Sequence, residues 1–454
     1  MPPNADYTGG HDGPIPPPVE LVWREDEGVS LKVPRFYPTS DRVLQKVSTR
    51  TDVPKVITMA EVAKHAKRDD LWVIVDGKAY DVTAFVENHP GGWLPMVNMG
   101  GKDCTDVFAN YHPARVYKTM LPQYFLGDVA DYSESAFVKG HRQLRQQLLA
   151  EGMFETLPHY YPGLYCWLGT LWVSAVYLMA GCGGLGCHLA GAAVLALFWQ
   201  QMAFVGHDCG HNSVTHKWQH DTTLGLLVGN LTTGIGMGWW KRSHNVHHVC
   251  CNSVEHDPDI QHMPIFAVDQ KIFDRGKPFW SSFHAKWVEM DLVAKVLVPY
   301  QHWLFYPVMA FARFNLYAQS WILLLSKEHV HNKGLEVAGL LGFAAWYCLL
   351  VGWLMPASHG VPERVAVVLL SHWLAGTLHV QICLSHFAQD TYHGHAYNGD
   401  QDEWFRMQVC SLQSACVLLC VLVFFFVFVC EDPSLCVSLC ARRGEARRLF
   451  HLSI

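Results

Sequence analysis

The chain has 454 residues, which is enough for two or three domains. Hydrophobic residues make up 50% of it and charged residues only 16%, a balance that favours several membrane-spanning segments over an entirely soluble protein. The formal net charge of −6 argues against the broad basic surface of nucleic-acid-binding proteins. None of the 15 cysteines has zinc-finger spacing and no secretory signal opens the chain, so we expect cytosolic soluble parts with reduced thiols.

The first part of the chain predicts a disordered lead followed by a globular domain. Residues 1–50 are rich in proline and glycine and carry little periodic apolar pattern. The pattern becomes globular within residues 51–130. There, Thr58 followed by Glu61 predicts a capping box at the start of a short helix. The dipeptide Asp76-Gly77, after a strand-like apolar run, predicts a hairpin turn.

Long apolar stretches follow a polar segment at 131–160, which we predict to be a helical linker. Four of these stretches are long enough to cross a bilayer core as helices. They lie at residues 163–183, 185–206, 336–355 and 363–384. A fifth stretch, 296–325, is interrupted by polar residues such as Arg313. These residues would be costly in lipid, so we place this segment at the membrane interface.

Four spans arranged as two hairpins define the expected topology. Residues 1–162, 207–335 and the region after 385 then share one side of the membrane. The lysines and arginines between 241 and 286 make that side cytosolic by the positive-inside rule. We therefore predict a membrane domain at 161–409, with the residues between its two hairpins facing the cytosol.

A possible haem site lies in the globular region, at His89-Pro90-Gly91-Gly92 with a second histidine at His112. Proline fixes one backbone angle, and glycine permits close approach of the backbone to a flat ligand. Two histidines from opposite walls could hold a haem iron axially. Because both axial positions would be filled, such a haem would transfer electrons and would not bind oxygen. The alternative is a turn with an exposed histidine.

Residues 56–129 resemble cytochrome b5. The resemblance rests on four segments, namely residues 72–77, 80–83, 89–92 and the later His112. It implies an α+β domain that binds haem b. It also implies that His89 and His112 are the two axial ligands of the haem iron.

Two histidine clusters follow the second apolar stretch. His207 and His211 are spaced by one helical turn, and His244, His247 and His248 repeat that spacing. A single histidine on an apolar face is usually a core residue, but five in two clusters beside membrane spans indicate a metal site. Imidazole suits iron, copper and zinc. Hydrogen removal from an unactivated methylene needs a high-valent iron–oxygen oxidant and single electrons, which a haem module can deliver.

From residue 56 to about 409 the chain resembles the front-end desaturases, membrane di-iron enzymes with a fused cytochrome b5 domain. Residues 206–211 look like the first histidine box of that family. Residues 239–248, continued by 252–262, look like its second box. The amino-acid sequence of these motifs is most similar to that of fungal-type sphingolipid Δ8 desaturases, which act on the long-chain base of ceramides. Acyl-lipid Δ6 or Δ8 desaturases are the alternative.

The resemblance implies an α-helical transmembrane desaturase domain of about four spans, with its histidine boxes on the cytosolic side. It implies two non-haem iron ions, for which the candidate ligands are His207, His211, His244, His247, His248 and His386. His256 and His262 are equally well explained as loop residues. The implied partners are the membrane, a ceramide long-chain base or an acyl chain as substrate, and an NADH-cytochrome b5 reductase. The implied location is the endoplasmic reticulum.

The chain departs from the family after residue 409. The third box, of the form Gln-x-x-His-His, does not follow His386, and His393, His395 and His451 are the only later histidines. Residues 410–454 form a divergent hydrophobic tail that holds six of the 15 cysteines. The tail could be a natural hydrophobic C-terminus. We favour a retained intron, a frameshift or a truncated gene model, because the ligands of the third box are lost and the composition changes abruptly after residue 409.

Three functions stay open from the sequence. The first is an O2-dependent lipid desaturase that receives electrons through its own haem domain. The second is a related hydroxylase, which would use the same ligands. The third is a membrane-anchored haem electron carrier whose C-terminal membrane domain has lost its activity. Because a di-iron site without the third box has too few nitrogens for both irons, we predict that this chain is inactive although its lineage has the activity.

Overall fold

The computed structural model describes residues 22–24, 28–30, 54, 56–269, 272, 278–387, 391–392, 404 and 408. The tail at 410–454 lies outside the described residues, and so does the predicted lead except for two short strands. The strands are β1 (Val22–Arg24), β2 (Gly28–Ser30), β3 (Ala66–Lys67), β4 (Asp70–Val75), β5 (Lys78–Asp81), β6 (Phe125–Asp128), β7 (Phe279–Ser281) and β8 (Lys286–Val288).

The helices of the described residues fall into a group that ends at Ala150 and a group that begins at Tyr160. The first group is α1 (Met59–Val62), α2 (Trp93–Asn98), α3 (Thr105–Tyr111), α4 (Ala114–Thr119) and α5 (Ala136–Ala150). The second group is α6 (Tyr160–Val176), α7 (Leu185–Gly210), α8 (Trp218–Gly225), α9 (Met237–Val249), α10 (Leu292–Leu297), α11 (Gln301–Leu325), α12 (Lys333–Cys348), α13 (Val361–Ala375) and α14 (Thr377–Phe387).

The N-terminal domain is built on a four-stranded antiparallel sheet in the order β3-β4-β5-β6. Asp76 and Gly77 join β4 to β5 with φ values of 50° and 70°, which confirms the predicted hairpin turn. The Thr58 hydroxyl accepts the Glu61 amide at 3.1 Å and caps α1, which confirms the predicted helix start. Sheet and short helices together confirm the α+β class.

Helix α5, within the segment predicted as a linker, packs against this domain. The Arg142 guanidinium donates to both carboxylate oxygens of Asp106, at 2.8 and 2.9 Å. The side chain of Val138 is fully buried in the apolar core of the same domain. A bidentate arginine–carboxylate pair fixes orientation as well as distance, so α5 is held in one place on the surface of the N-terminal domain.

Five helical segments are long and apolar enough to cross a membrane. They are Tyr160–Gly181, Leu185–Gly210, Leu292–Leu325, Lys333–Leu354 and Val361–Leu384. Four of them coincide with the predicted spans, and the helical membrane domain is thereby confirmed. The additional one, Leu292–Leu325, contains the segment that we expected at the membrane interface. It qualifies as a span by length and composition, and its interfacial placement stays a prediction.

Two of the long apolar helices, α11 and α12, fix the start of α9, the helix that carries the second histidine cluster. The Glu336 carboxylate, from α12, accepts the Gly238 amide at 2.7 Å. The Ser320 hydroxyl, from α11, accepts the Gly236 amide at 2.9 Å. Both contacts satisfy backbone N–H groups that a helix start leaves without partners. The second histidine cluster is thus positioned by two of the long apolar helices.

Candidate haem and metal centres

His89 and His112 face each other in the N-terminal domain, with ring centroids 5.8 Å apart. His89 follows a short 3₁₀ turn, and His112 ends α3. The His89 Nδ1 donates to the Gly92 carbonyl at 2.8 Å, and the His112 Nδ1 donates to the Phe108 carbonyl at 3.0 Å. Since each ring uses Nδ1 as a donor, Nε2 is the nitrogen that a metal can bind.

The pair fits an iron held between two axial imidazoles. Two rings bonded at about 2 Å from opposite sides of one metal have centroids about 6 Å apart, close to the observed separation. Desolvation lowers the pKa of His89, and it lowers the pKa of His112 to about 3, so both rings are neutral. A Cβ on Gly91 would lie 2.8 Å from the His89 Cε1, so glycine makes room for that ring.

A second centre forms where the end of α7 meets α9. His207 and His211 come from α7 and its C-terminal residue, and His244 and His248 come from α9. One ring nitrogen from each of the four lies within 4.8 Å of the others. The Nε2 atoms of His244 and His248 are only 2.8 Å apart. The structure therefore brings together four of the six predicted ligands in one group.

The four-histidine group fits a metal ion. The Nε2 atom of His211 is buried and has no hydrogen-bond partner among the described residues. A buried polar atom without a partner is costly unless something else binds it. Burial also lowers the pKa of His211 and of His248, so both imidazoles are neutral and can offer a lone pair. Neutral imidazole is a good ligand for iron.

The remaining two predicted ligands form an adjoining group. The rings of His247 and His386 lie with centroids 4.6 Å apart. The Nδ1 of His247 donates to the Asp257 carboxylate at 2.9 Å, and the Nδ1 of His386 donates to the Asn252 Oδ1 at 3.1 Å. His386 thus points toward the histidine clusters and not into lipid. Hydrogen bonds of this kind orient metal-binding histidines.

Three side chains in this region were not assigned a role from the sequence. Asp257 and Asn252 hold the two rings in place, and Cys251 lies beside them within the same group. Cys251 comes just after residues 239–248, and Asn252 and Asp257 lie in the 252–262 continuation of the second box. His256 donates to or accepts from the Ser282 hydroxyl at 2.9 Å, and it lies outside the metal-ligand groups found among the described residues. His262 lies outside those groups as well.

Close packing of α7 on α9 depends on one glycine. A Cβ on Gly210 would overlap the indole of Trp240, which stacks on His244 at 4.3 Å between centroids. We expect Gly210→Ala to cost about 1–3 kcal/mol of stability by overpacking, and to lower non-haem iron content several-fold by displacing His244. Metal analysis and thermal unfolding of the purified protein measure both effects.

Gly206 supplies the matched control for that variant. It lies one helical turn earlier on α7, and a Cβ there would meet the Val228 Cγ1 at an ordinary 3.6 Å. Gly206→Ala should keep its iron and its unfolding temperature. Equal iron content in the two variants would show that the approach of α7 to α9 does not set the geometry of the four-histidine group.

The haem domain lies directly against α9. A Cβ placed on Gly91 would be 3.8 Å from the Asn245 Nδ2, so the turn after His89 reaches the helix of the second box. Val249 and Cys250, at the end of α9, belong to the same apolar cluster as the haem-domain core. The loop that carries His89, a predicted haem ligand, therefore contacts the helix that carries three of the metal-ligand candidates.

Comparison with known proteins gives two matching families. The family described as cytochrome b5-like haem/steroid binding domain matches residues 58–130, and the fatty acid desaturase family matches residues 185–428. Delta(8)-fatty-acid desaturase 2 of Arabidopsis thaliana is 38% identical over 78% of this chain and 77% of its own length. Delta 8-(E)-sphingolipid desaturase of Kluyveromyces lactis is 36% identical over 63% of this chain and 49% of its own length. The solved cytochrome b5 of Ostreococcus tauri virus 2 is 39% identical over 17% of this chain and 100% of its own, with a TM-score of 0.17.

Proposed function

Since the chain belongs to the fatty acid desaturase family and carries a fused cytochrome b5 domain, we propose that its site is built to introduce a Δ8 double bond into the long-chain base of a sphingolipid. The observation that carries the oxidative chemistry of this proposal is the convergence of four imidazoles, among them His211 with its unpartnered Nε2. The choice of substrate is supported by the similarity to the Delta 8-(E)-sphingolipid desaturase of Kluyveromyces lactis. The family uses haem and a di-iron centre. When bound, these groups supply single electrons and activate O2, so that two hydrogens leave a lipid chain.

The proposed roles of the residues follow from their hydrogen bonds. His89 and His112 bind the haem iron through Nε2, since Nδ1 of each ring donates to a backbone carbonyl. The proposed ligands of the two non-haem irons are His207, His211, His244, His247, His248 and His386. We propose that residues 51–130 form the haem domain, residues 131–160 a linker and residues 161–409 the membrane domain.

The contact between the haem domain and α9 supports electron delivery within one chain. Asn245 lies between His244 and His247 in sequence and meets the turn that follows His89. Electrons that arrive on the haem therefore have a short path to the helix of the second box. We propose that an NADH-cytochrome b5 reductase supplies them from the cytosol. We further propose that the protein resides in the endoplasmic reticulum with its haem domain and histidine clusters on the cytosolic side.

An acyl chain is the second candidate substrate. The relative from Arabidopsis thaliana carries the name of a fatty-acid desaturase and matches a larger share of this chain than the sphingolipid desaturase from Kluyveromyces lactis does. Both candidates are long unactivated hydrocarbon chains on lipids, and the same hydrogen removal applies to either. Lipid profiling of a form whose third histidine box has been restored separates them, because the new double bond appears in the long-chain bases or in the fatty acids.

Metal content separates a metal-dependent enzyme from a haem electron carrier. We expect the purified chain to contain non-haem iron in addition to haem iron. His211→Ala removes the ligand with the unpartnered Nε2 and should lower non-haem iron at least about tenfold, leaving the haem absorbance unchanged. His220→Ala, at an exposed position on α8, is the control and should keep both. Haem iron alone in the unmodified protein would favour the electron carrier.

A further inference from the structure

The outer face of the β7–β8 hairpin carries two exposed tryptophans. Trp280 and Trp287 are cross-strand partners, and their rings meet edge to face at 5.5 Å between centroids. Trp280 is 44% and Trp287 63% exposed. Because side chains alternate between the two faces of a strand, Phe279 and Ser281 point the other way, and both are buried. The hairpin thus has a buried inner face and an outer face made of two indoles.

The inner face of the hairpin is bonded to the segment that continues the second histidine box. The Ser281 hydroxyl donates to the Gln261 Oε1 at 2.7 Å, and the Ser282 amide donates to the Glu255 carbonyl at 3.0 Å. Phe279 belongs to an apolar cluster that extends into α10. These contacts hold the hairpin in one orientation, so its two indoles form a fixed surface.

A stripe of exposed apolar side chains leads from the hairpin into a long helical segment. The residues recur at intervals of four, four and three positions, which places them on one side of the helix. They are Leu292, Val296, Tyr300 and Trp303, each at least 55% exposed. All four lie in Leu292–Leu325, one of the segments long and apolar enough to cross a membrane. The exposed surface therefore continues into a segment whose composition suits lipid.

The side chains of this surface are those that the headgroup region of a bilayer favours. Tryptophan and tyrosine rings combine an apolar body with one polar atom, and they are enriched where lipid meets water. Lys286 is exposed beside Trp287, where its long apolar stem can lie along lipid while the ammonium stays at the headgroups. Contiguous exposed apolar patches mark sites of contact with a membrane or a protein, and here the patch adjoins a membrane domain.

We propose that the outer face of the β7–β8 hairpin and the exposed stripe at the start of Leu292–Leu325 lie in the headgroup region of the phospholipid bilayer and anchor the membrane domain there. Lipid is the partner because the surface runs directly into an apolar segment of spanning length. The inference requires a membrane domain and does not depend on the proposed enzyme activity. Since the hairpin is bonded to residues 255 and 261, the anchor also fixes the depth of the second histidine box relative to the headgroups.

Photocrosslinking in vesicles tests the contact with lipid. The full chain carries p-benzoylphenylalanine in place of Trp280 or Trp287, is reconstituted into vesicles of deuterated phosphatidylcholine and is irradiated. Mass spectrometry should detect a lipid adduct at both positions. Trp353, exposed on the apolar segment Lys333–Leu354, is the positive control and should give the same adduct. Phe125, exposed on β6 of the N-terminal domain, is the negative control and should give none.

The remaining outcomes overturn the anchor. Absence of lipid adducts from Trp280 and Trp287, with an adduct at Trp353, would place the hairpin in water. A crosslink between two copies of the chain, in place of lipid, would make the face a protein interface. An equal yield at Phe125 would show that the hairpin is no closer to lipid than the N-terminal domain is. Because Trp280 and Trp287 are both exposed, the new side chain displaces no buried neighbour.

Discussion

A chimera in which residues 410–454 are replaced by a relative's segment carrying the Gln-x-x-His-His box is expected to form a lipid double bond that the original chain does not form. The six histidines placed at the two metal-ligand groups are too few nitrogens for two irons. The tail contributes only His451. Restoring paired histidines should raise product formation at least about 100-fold, since even supporting residues around a metal can change activity by that factor.

Expression in yeast that lacks its own desaturase measures this difference, with profiling of both long-chain bases and fatty acids. The control is the same chimera with the paired histidines of the grafted segment replaced by alanine, which should form no product. A new double bond made by the unmodified chain would overturn the prediction that its site is incomplete. A new double bond in fatty acids alone would favour the acyl substrate over the sphingolipid base.

The His89→Ala variant is expected to lose the absorbance band of reduced haem. If His89 and His112 hold the haem iron as proposed, this variant keeps only the imidazole of His112, whose ring faces His89 at 5.8 Å between centroids. We expect haem content to fall at least about tenfold, and the same loss in His112→Ala. Absorbance spectra of the purified reduced protein measure it, normalised to protein concentration.

His141→Gln is the control for that loss, because His141 lies on α5 and is not one of the two facing rings. It should retain the haem band. Non-haem iron in His89→Ala should match that of the unmodified chain, since the four-histidine group draws no ligand from the haem domain. Survival of the band in either axial variant would show that the haem ligand has been assigned to the wrong histidine.

Local signals made much of the fold predictable. The positions of four long helices follow from apolar stretches of sufficient length, because a helix that crosses the hydrocarbon core needs a long run of apolar residues. The turn at Asp76-Gly77 and the cap at Thr58 depend only on neighbouring backbone geometry, and both occur as predicted. The spacing of His207 and His211 predicts one helical face in the same way, and the two rings lie 4.5 Å apart between centroids.

Contacts between distant segments were not predictable from such signals. Nothing in the pattern of residues 131–160 shows that Arg142 meets Asp106, so a packed helix was predicted only as a linker. Asp257 lies beside His247 because the chain turns back after α9, a path that no periodicity encodes. His386 was found only through its resemblance to a family position, and the structure places it beside His247.

The contact between the haem domain and α9 has a kinetic consequence. Once the haem is reduced, passage of the electron to the membrane domain is a first-order event, whose rate does not depend on how many copies of the protein the bilayer holds. Tethering and docking together replace a bimolecular encounter by an effective concentration in the millimolar range or above. Dilution in the membrane would then slow only the arrival of reducing equivalents at the haem.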